Sequence, residues 1–531
     1  MYALGIDLGT NSVKSLILEL ETGRVAGIGQ KSYGYIEGTD AEQDRGLVRD
    51  MVIQSIRQAV ENSGINAEMI ICVGLSGQMH GTVLYNRSGE CISNIITWED
   101  SRCSKDFLDE IASIVGEGVQ KSGCGIATGF LGPTVYHITR HSNIEIGHVL
   151  LPADWLRQEL AGERTFLTDH SNGSSSGFFD TQNRDWNYDL LRKLNLPEDI
   201  FPKAISTCAF DGGVSKLTAE ATGLDPGVPV TVGGGDQPMS MIGSGICQPS
   251  DGFLLNIGTG SQISRMSNDY AKKEGTIVFC FPERGYSLLG AALSGGASLS
   301  WWREVSEGCA RMYGLDPPGG NIYQEMTRLA AEIPPGADGL VFIPYLSGTR
   351  TRPDLKASFA GLTRHHGYAH FVRAILEGVI FELYHFYERL VDNSDSGVPL
   401  IAAGGGFSSR LWTQIAADIF DKEVRTTACQ EQAALGAALT AGTGSGYYPD
   451  MKEACGKVKY KAEVAKPKRE NVEKYRRIYE TKYRLYLVRA IYPIETSSSG
   501  YMAIPASDNA SSPTPTPTKP LWHLSKFAKK F

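Results

Sequence analysis

At Gly233-Gly234-Gly235-Asp236-Gln237 an acidic residue stands directly behind three glycines, which themselves follow the apolar Val230-Thr231-Val232. A carboxylate fixed at a strand end by residues without side chains can come close to a reacting centre and take the proton of an attacking alcohol. The same position suits a helix cap, and the residues alone leave both readings open. Asp7 poses a related question, because it sits in the apolar run Leu4-Gly5-Ile6-Asp7-Leu8. A carboxylate at the end of a buried strand is costly unless it is paired or ligates a cation. Magnesium carried by a polyphosphate is a natural partner, and Asp236 is the second candidate ligand for such an ion.

Two turns could hold the polyphosphate. Gly9, Thr10, Asn11 and Ser12 follow Asp7, and Gly258, Thr259 and Gly260 follow the apolar Phe253-Leu254-Leu255-Asn256-Ile257. Their N–H groups and small side chains allow close approach to phosphate oxygens. Each turn alone is more often an ordinary hairpin tip; facing each other across a cleft, the pair would clamp ATP. A third turn, Gly404-Gly405-Gly406-Phe407-Ser408-Ser409, opens a helix and suits either adenosine or phosphate packing, or plain chain reversal. For the acceptor, Gln78, Met79 and His80, and then Trp98, Asp100 and Arg102, each follow an apolar segment. Together they offer donors and acceptors for hydroxyl groups and an aromatic face to stack on, although Asp100 and Arg102 could simply pair with each other.

The elements that must position these residues follow from periodicity. Leu4 to Leu8 and Val13 to Leu20 read as a hairpin, and a strand, Gly-Thr turn, strand unit recurs about half the chain later at 253–264, which points to an internal duplication. Val48, Val52, Ile56, Ala59 and Val60 mark an amphipathic helix over 47–62, Met69 to Leu75 a buried strand, Phe371 to Phe386 a long helix, and Leu411 to Ile419 another, with Ser408 or Ser409 as cap. Strands alternating with helices predict an α/β fold with layered sheets. We place the domain boundary where Gly-Ser-Gly and Gln-Pro-Ser interrupt the pattern, giving domains over 1–245 and 246–490. The Ser/Pro/Thr-rich segment 491–531 is expected to be a disordered tail.

Composition excludes several classes. The 531 residues are 42% hydrophobic and 21% charged, with a net charge of -8 that leaves no basic surplus for nucleic acid. The ten cysteines include no CxxC pair, so neither a zinc site nor a disulfide framework is expected, and reduced thiols of the cytoplasm fit better. No apolar stretch approaches the ~20 residues of a membrane span, and the N-terminus lacks the features of an export signal. Gly173-Ser174-Ser175-Ser176-Gly177 meets the GxSxG pattern of a hydrolase nucleophile but lacks the apolar strand before it. GxxxxGK and GxGxxG motifs are absent.

Taken in order, these motifs resemble those of the FGGY carbohydrate kinase family. Gly5 to Thr10 resembles its N-terminal phosphate motif, Gly233 to Gln237 its catalytic-base motif, Gly258 to Gly260 its second phosphate loop, and Gly404 to Arg410 its adenosine loop. Ala357, Phe359, Gly361, Leu362, His370, Phe371, Ala374, Ile375 and Glu377 fit its C-terminal signature. The resemblance runs from about residue 3 to about residue 490. It implies the duplicated actin/Hsp70-like, ribonuclease H-like fold with two domains flanking a cleft, ATP and Mg2+ as cofactors, Asp236 as base, and a small sugar as substrate. A homodimer is compatible with this reading. Gln78-Met79-His80-Gly81 and Trp98-x-Asp100-x-Arg102 are similar to the xylulokinase and sedoheptulokinase branch. Ribulose or another polyol remains an alternative acceptor, and a chaperone-like ATPase of the same superfold an alternative function.

Overall fold

The structure is a computed structural model that describes residues 1–39, 41–315, 321–349, 352–392 and 397–491. The expected tail lies, from residue 492 onward, outside the described residues.

The first lobe is built on a seven-stranded mixed sheet. Strands β1 (Tyr2–Leu8), β2 (Ser12–Glu19) and β3 (Arg24–Ser32) form an antiparallel meander. Helix α1 (Arg45–Ser63) covers one face with Val48, Val52, Ile56 and Ala59, all fully buried. Each such side chain contributes roughly 1.5–3 kcal/mol on leaving water, less for alanine. Asp44 caps the helix by accepting from the Leu47 N–H at 2.7 Å, and Gly64 ends it with a left-handed φ of 66°. Strand β4 (Ile70–Gly77) then pairs in parallel with β1. Strands β5 (Phe210–Gly213), β6 (Pro229–Thr231) and the two-residue β7 (Gly234–Gly235) complete the sheet, in the order β5-β6-β4-β1-β2-β3 with β7 also on β4. Helix α2 (Asp236–Gly243) follows β7 without a loop.

The second lobe repeats the plan. Strands β8 (Phe253–Ile257), β9 (Ser261–Ser267), β10 (Ile277–Cys280) and β11 (Tyr286–Ala292) form its antiparallel part. The long helix α3 (Tyr368–Leu390) packs beneath them. Strand β12 (Leu400–Ala403), helix α4 (Arg410–Phe420) and strand β13 (Val424–Thr427) follow, with β12 parallel to β8 and β13 parallel to β12. Helix α5 (Gln432–Gly444) and the antiparallel edge strand β14 (Tyr460–Ala465) complete it. Read from β11, the order β10-β11-β9-β8-β12-β13-β14 matches the six-strand path β3-β2-β1-β4-β6-β5 of the first sheet, with β10 added at one edge and β7 of the first sheet without a counterpart. The internal duplication expected from the two hairpins is therefore present in the topology.

One helix does not stay with its own half. The apolar α5, buried all round from Gln432 to Gly442, packs on β1 and β4 of the first sheet. A Cβ on Gly5 would stand 1.9 Å from the Ala434 carbonyl oxygen, and one on Gly74 1.9 Å from that of Ala437. Those two glycines allow backbone-to-backbone contact between the halves, and α2 crosses α5 just as tightly at Gly243 and Gly436.

Candidate active site

In the first lobe, three parallel strands end in one line. Leu8 of β1 and Gly235 of β7 both register on Gly77 of β4. The turn 9–12, the segment 78–80 and Asp236 thus leave the sheet at its carboxyl edge, the usual place for a ligand in a sheet with parallel strands. Gly9 donates to the Ser12 carbonyl at 3.1 Å, closing the turn. Thr10 is held twice: its hydroxyl accepts from the Trp98 indole at 2.9 Å, and its carbonyl accepts from Gln43. Trp98, expected on the acceptor side, therefore joins that side to the phosphate turn.

Asp7 accepts from the Ser76 hydroxyl at 2.9 Å. Burial raises its carboxyl above the usual range, against the opposing pull of Lys14 and the Ser76 hydrogen bond. Asp236 is the first residue of α2, with Gly235 in the capping position, and the backbone N–H groups of Asp236 and Gln237 donate to its carboxylate. Its pKa is pushed up to about 7, first by burial and second by the negative charge of Asp7. Two carboxylates close enough to repel each other are the arrangement a divalent cation neutralises.

On the acceptor side, Gln78 and Met79 are buried. The Gln78 amide nitrogen donates to Gln43 at 3.1 Å, while its Oε1 is buried without a hydrogen-bond partner. His80 has a positive φ of 76°, and its ring stacks on Phe130 with centroids 4.0 Å apart. Its Nδ1 lies 2.7 Å from the Ser175 carbonyl; donation there leaves Nε2 as an acceptor. Met79 packs against Phe279 and Leu289 of the second lobe. Asp100 is fully buried and makes a bidentate pair with Arg102, 2.8 Å at each oxygen. The same guanidinium reaches Glu42 at 2.9 Å. The pairing that the sequence left open is thus present, widened to a second acid.

In the second lobe, the turn 258–260 joins β8 to β9, and the turn 404–406 leaves β12 beside it. Asn256 registers on Ala403, so both turns emerge at neighbouring strand ends. The carbonyls of Gly258 and Thr259 accept from Gly296 (2.8 Å) and Gly295 (2.9 Å), tying the turn to the start of the helix Gly296–Met312. Gly404 has a φ of 83°, and a Cβ there would stand 2.4 Å from Asn256 Oδ1; around Gly405 the space is open. Ser409, expected to touch the nucleotide, caps α4 by accepting from the Trp412 N–H at 3.3 Å.

Sequence reasoning passed over Lys14. It registers directly across from Asp7 on β2 and reaches Glu431, at the start of α5, at 2.7 Å. Burial opposes its charge, but the hydrogen bond and charge of Glu431, with Asp7 behind, hold the ammonium above its usual pKa. The cross-strand register of the first hairpin was the available signal. Ser261 and Gln262, next to the second turn, carry buried oxygens without hydrogen-bond partners and were also passed over. Ser175, the centre of the GxSxG match, is fully buried and donates to the Asn172 carbonyl at 2.7 Å, so it is structural.

Two lobes of like topology, each with a glycine-threonine turn at a strand end, and Asp236 leaving the first sheet beside Gly9 to Ser12 and Gln78 to His80, are the arrangement expected of a two-lobed phosphotransferase. Family models agree: residues 2–243 match the N-terminal domain of the FGGY family of carbohydrate kinases and residues 256–445 its C-terminal domain. The chain belongs to that family and is an ATP-dependent sugar kinase of the actin/Hsp70-like fold. It is 27% identical over 497 residues to the xylulose kinase of Bacillus subtilis (strain 168), covering 91% of this chain and 96% of that one. It is 30% identical over 457 residues to the gluconokinase of Bacillus licheniformis, covering 82% and 86%. The solved xylulose kinase from Rhodospirillum rubrum superposes with a TM-score of 0.82 at 26% identity, covering 93% of this chain and 99% of that one.

Proposed function

We propose that this kinase transfers the terminal phosphoryl group of ATP to a hydroxyl of a neutral ketose of the xylulose type, with Asp236 as general base. The observation that carries the assignment is the position of Asp236: the first residue of α2, delivered by β7 to the carboxyl edge of the sheet, where burial and the charge of Asp7 push its pKa up to about 7, which suits proton transfer at neutral pH. Asp236 accepts the proton of the attacking hydroxyl, and the turns at Gly9–Ser12 and Gly258–Gly260 orient the phosphates for in-line transfer. Positioning and charge stabilisation supply most of the acceleration, because phosphoryl transfer needs little covalent help from the protein. The Gly404–Gly406 turn, open at Gly405, suits the adenosine.

Asp7 and Asp236 would hold Mg2+, which prefers one or two carboxylates together with substrate phosphates and supplies neutralisation of the phosphate charge. Two hard oxygen donors at neighbouring strand ends, Asp7 near the end of β1 and Asp236 directly after β7, fit the ion to this pair. Both carboxylates act as acceptors in this role, and Ser76 fixes the orientation of Asp7.

The choice of a ketose over an aldonate rests on Arg102. It is the one cation among the proposed acceptor residues, and it is already committed to Asp100 and Glu42. The remaining groups, Gln78, Met79, His80 and Trp98, are an amide, a thioether, an imidazole and an indole, which recognise hydroxyl groups and a carbonyl better than a carboxylate. Free thiols at all ten cysteines suit a cytosolic setting. A coupled assay of ADP release over xylulose, ribulose, sedoheptulose and gluconate, with product mass, tests the proposal. A ketose should give the highest kcat/KM. Preference for gluconate would overturn the substrate class, and ADP release indifferent to sugar would point to the chaperone-like alternative.

A further inference from the structure

Resting on the sugar-kinase reading above, we infer that Asn172 is a substrate-contacting specificity residue whose carboxamide binds hydroxyl groups of the acceptor. Asn172 has no accessible surface, and neither its Nδ2 nor its Oδ1 has a hydrogen-bond partner. Among the described residues it is the only buried side-chain amide in which both ends are orphaned. A buried amide left this way is costly, and natural structures rarely keep one without a ligand or water to satisfy it.

Its place in the chain says which ligand. Asp169 anchors the short turn 170–173 by accepting from the N–H groups of Ser171 (3.0 Å) and Asn172 (2.8 Å). On one side of Asn172, the Ser171 hydroxyl accepts from the N–H of Gly235 at 3.0 Å, directly before Asp236. On the other, Ser175 binds His80 twice, accepting from its backbone N–H at 3.1 Å and presenting its carbonyl to Nδ1 at 2.7 Å. The segment therefore bridges the residue before the base and the imidazole of the acceptor set, and Asn172 lies between those two contacts. Gln78, two residues before His80, adds a second buried amide with an orphaned oxygen. Two amides of this kind offer matched donors and acceptors to vicinal hydroxyls and no charge, which again suits a neutral polyol chain.

The test compares the parent enzyme with Asn172→Ala and the near-isosteric Asn172→Asp, measuring steady-state constants for sugar and ATP and the sugar-induced rise in Tm. Both variants should raise KM for the ketose about tenfold or more, the scale of one or two lost hydrogen bonds to a buried amide. KM for ATP should stay within about twofold, and the sugar-induced rise in Tm should shrink or vanish. A folded variant with unchanged sugar KM would overturn the inference while leaving the kinase reading intact. A parent enzyme that phosphorylates no sugar would sink both. Should both variants fail to fold, a crystal structure of the parent with the ketose decides: an amide within hydrogen-bond distance of the sugar supports the role, and ordered water on both amide atoms refutes it.

Discussion

Replacing Asp236 by Asn should make the enzyme nearly inactive and, at the same time, more stable at alkaline pH. The carboxyl has an ordinary pKa of 3.8 in the unfolded chain and about 7 in the folded one. That interval corresponds to about 4 kcal/mol, an upper figure because the residue is only partly buried. Below pH 3.8 both states hold the proton and the group is neutral in its effect. Between these values the unfolded chain loses the proton that the folded state keeps, so stability falls as pH rises. Above about 7 the full penalty of a buried charge beside Asp7 applies. Asparagine has the same shape and no proton to lose. The Tm of Asp236→Asn should therefore exceed that of the parent by a few degrees at pH 8, and the difference should close towards pH 4. Differential scanning calorimetry of ligand-free protein over that range measures it, and kcat of the same sample should be lower by roughly two orders of magnitude or more. A variant that is no more stable at pH 8, or a difference independent of pH, would refute the electrostatic reasoning; near-normal kcat would refute the base.

Lys14→Met should raise KM for ATP by about tenfold, since the ammonium stands opposite Asp7 at the phosphate turn; unchanged ATP kinetics would make the Glu431 pair purely structural. Ser409→Ala should cost about 1 kcal/mol of stability, seen by denaturant titration, with little change in KM for ATP, because the hydroxyl caps α4. Gly436→Val should abolish soluble expression or lower Tm sharply, because its Cβ would stand 2.0 Å from the Met239 carbonyl oxygen. A soluble Gly436→Val enzyme with parental Tm would show that α2 and α5 can separate at little cost.

Periodic, locally determined elements were legible in the residues. The helix expected over 47–62 spans Arg45–Ser63, the strand from Met69 spans Ile70–Gly77, and the long helix spans Tyr368–Leu390. Each has one buried face or one short apolar run, which fixes its type without reference to the rest of the chain. Helix α5 gave no such signal, because a helix buried on all sides carries no alternation to read. Three successive glycines carry no strand signal, yet Gly234 and Gly235 pair with β4 and deliver Asp236 straight into a helix. The site residues were legible where glycine spacing marked them. They were not where the partner is distant in sequence, as with Lys14 and Glu431, Arg102 and Glu42, or Ser175 and His80.

The seating of α5 on the first sheet bears on how such enzymes can be recombined. A chimera that joins the front half of this chain to the back half of a relative, with one seam near residue 250, would set a foreign helix against Gly5 and Gly74. Backbone packing that leaves no room for a Cβ at either glycine, not the covalent joint, would then limit its solubility. Exchanging substrate preference between relatives should succeed more often with two seams, so that the segment 432–444 travels together with the sheet on which it rests.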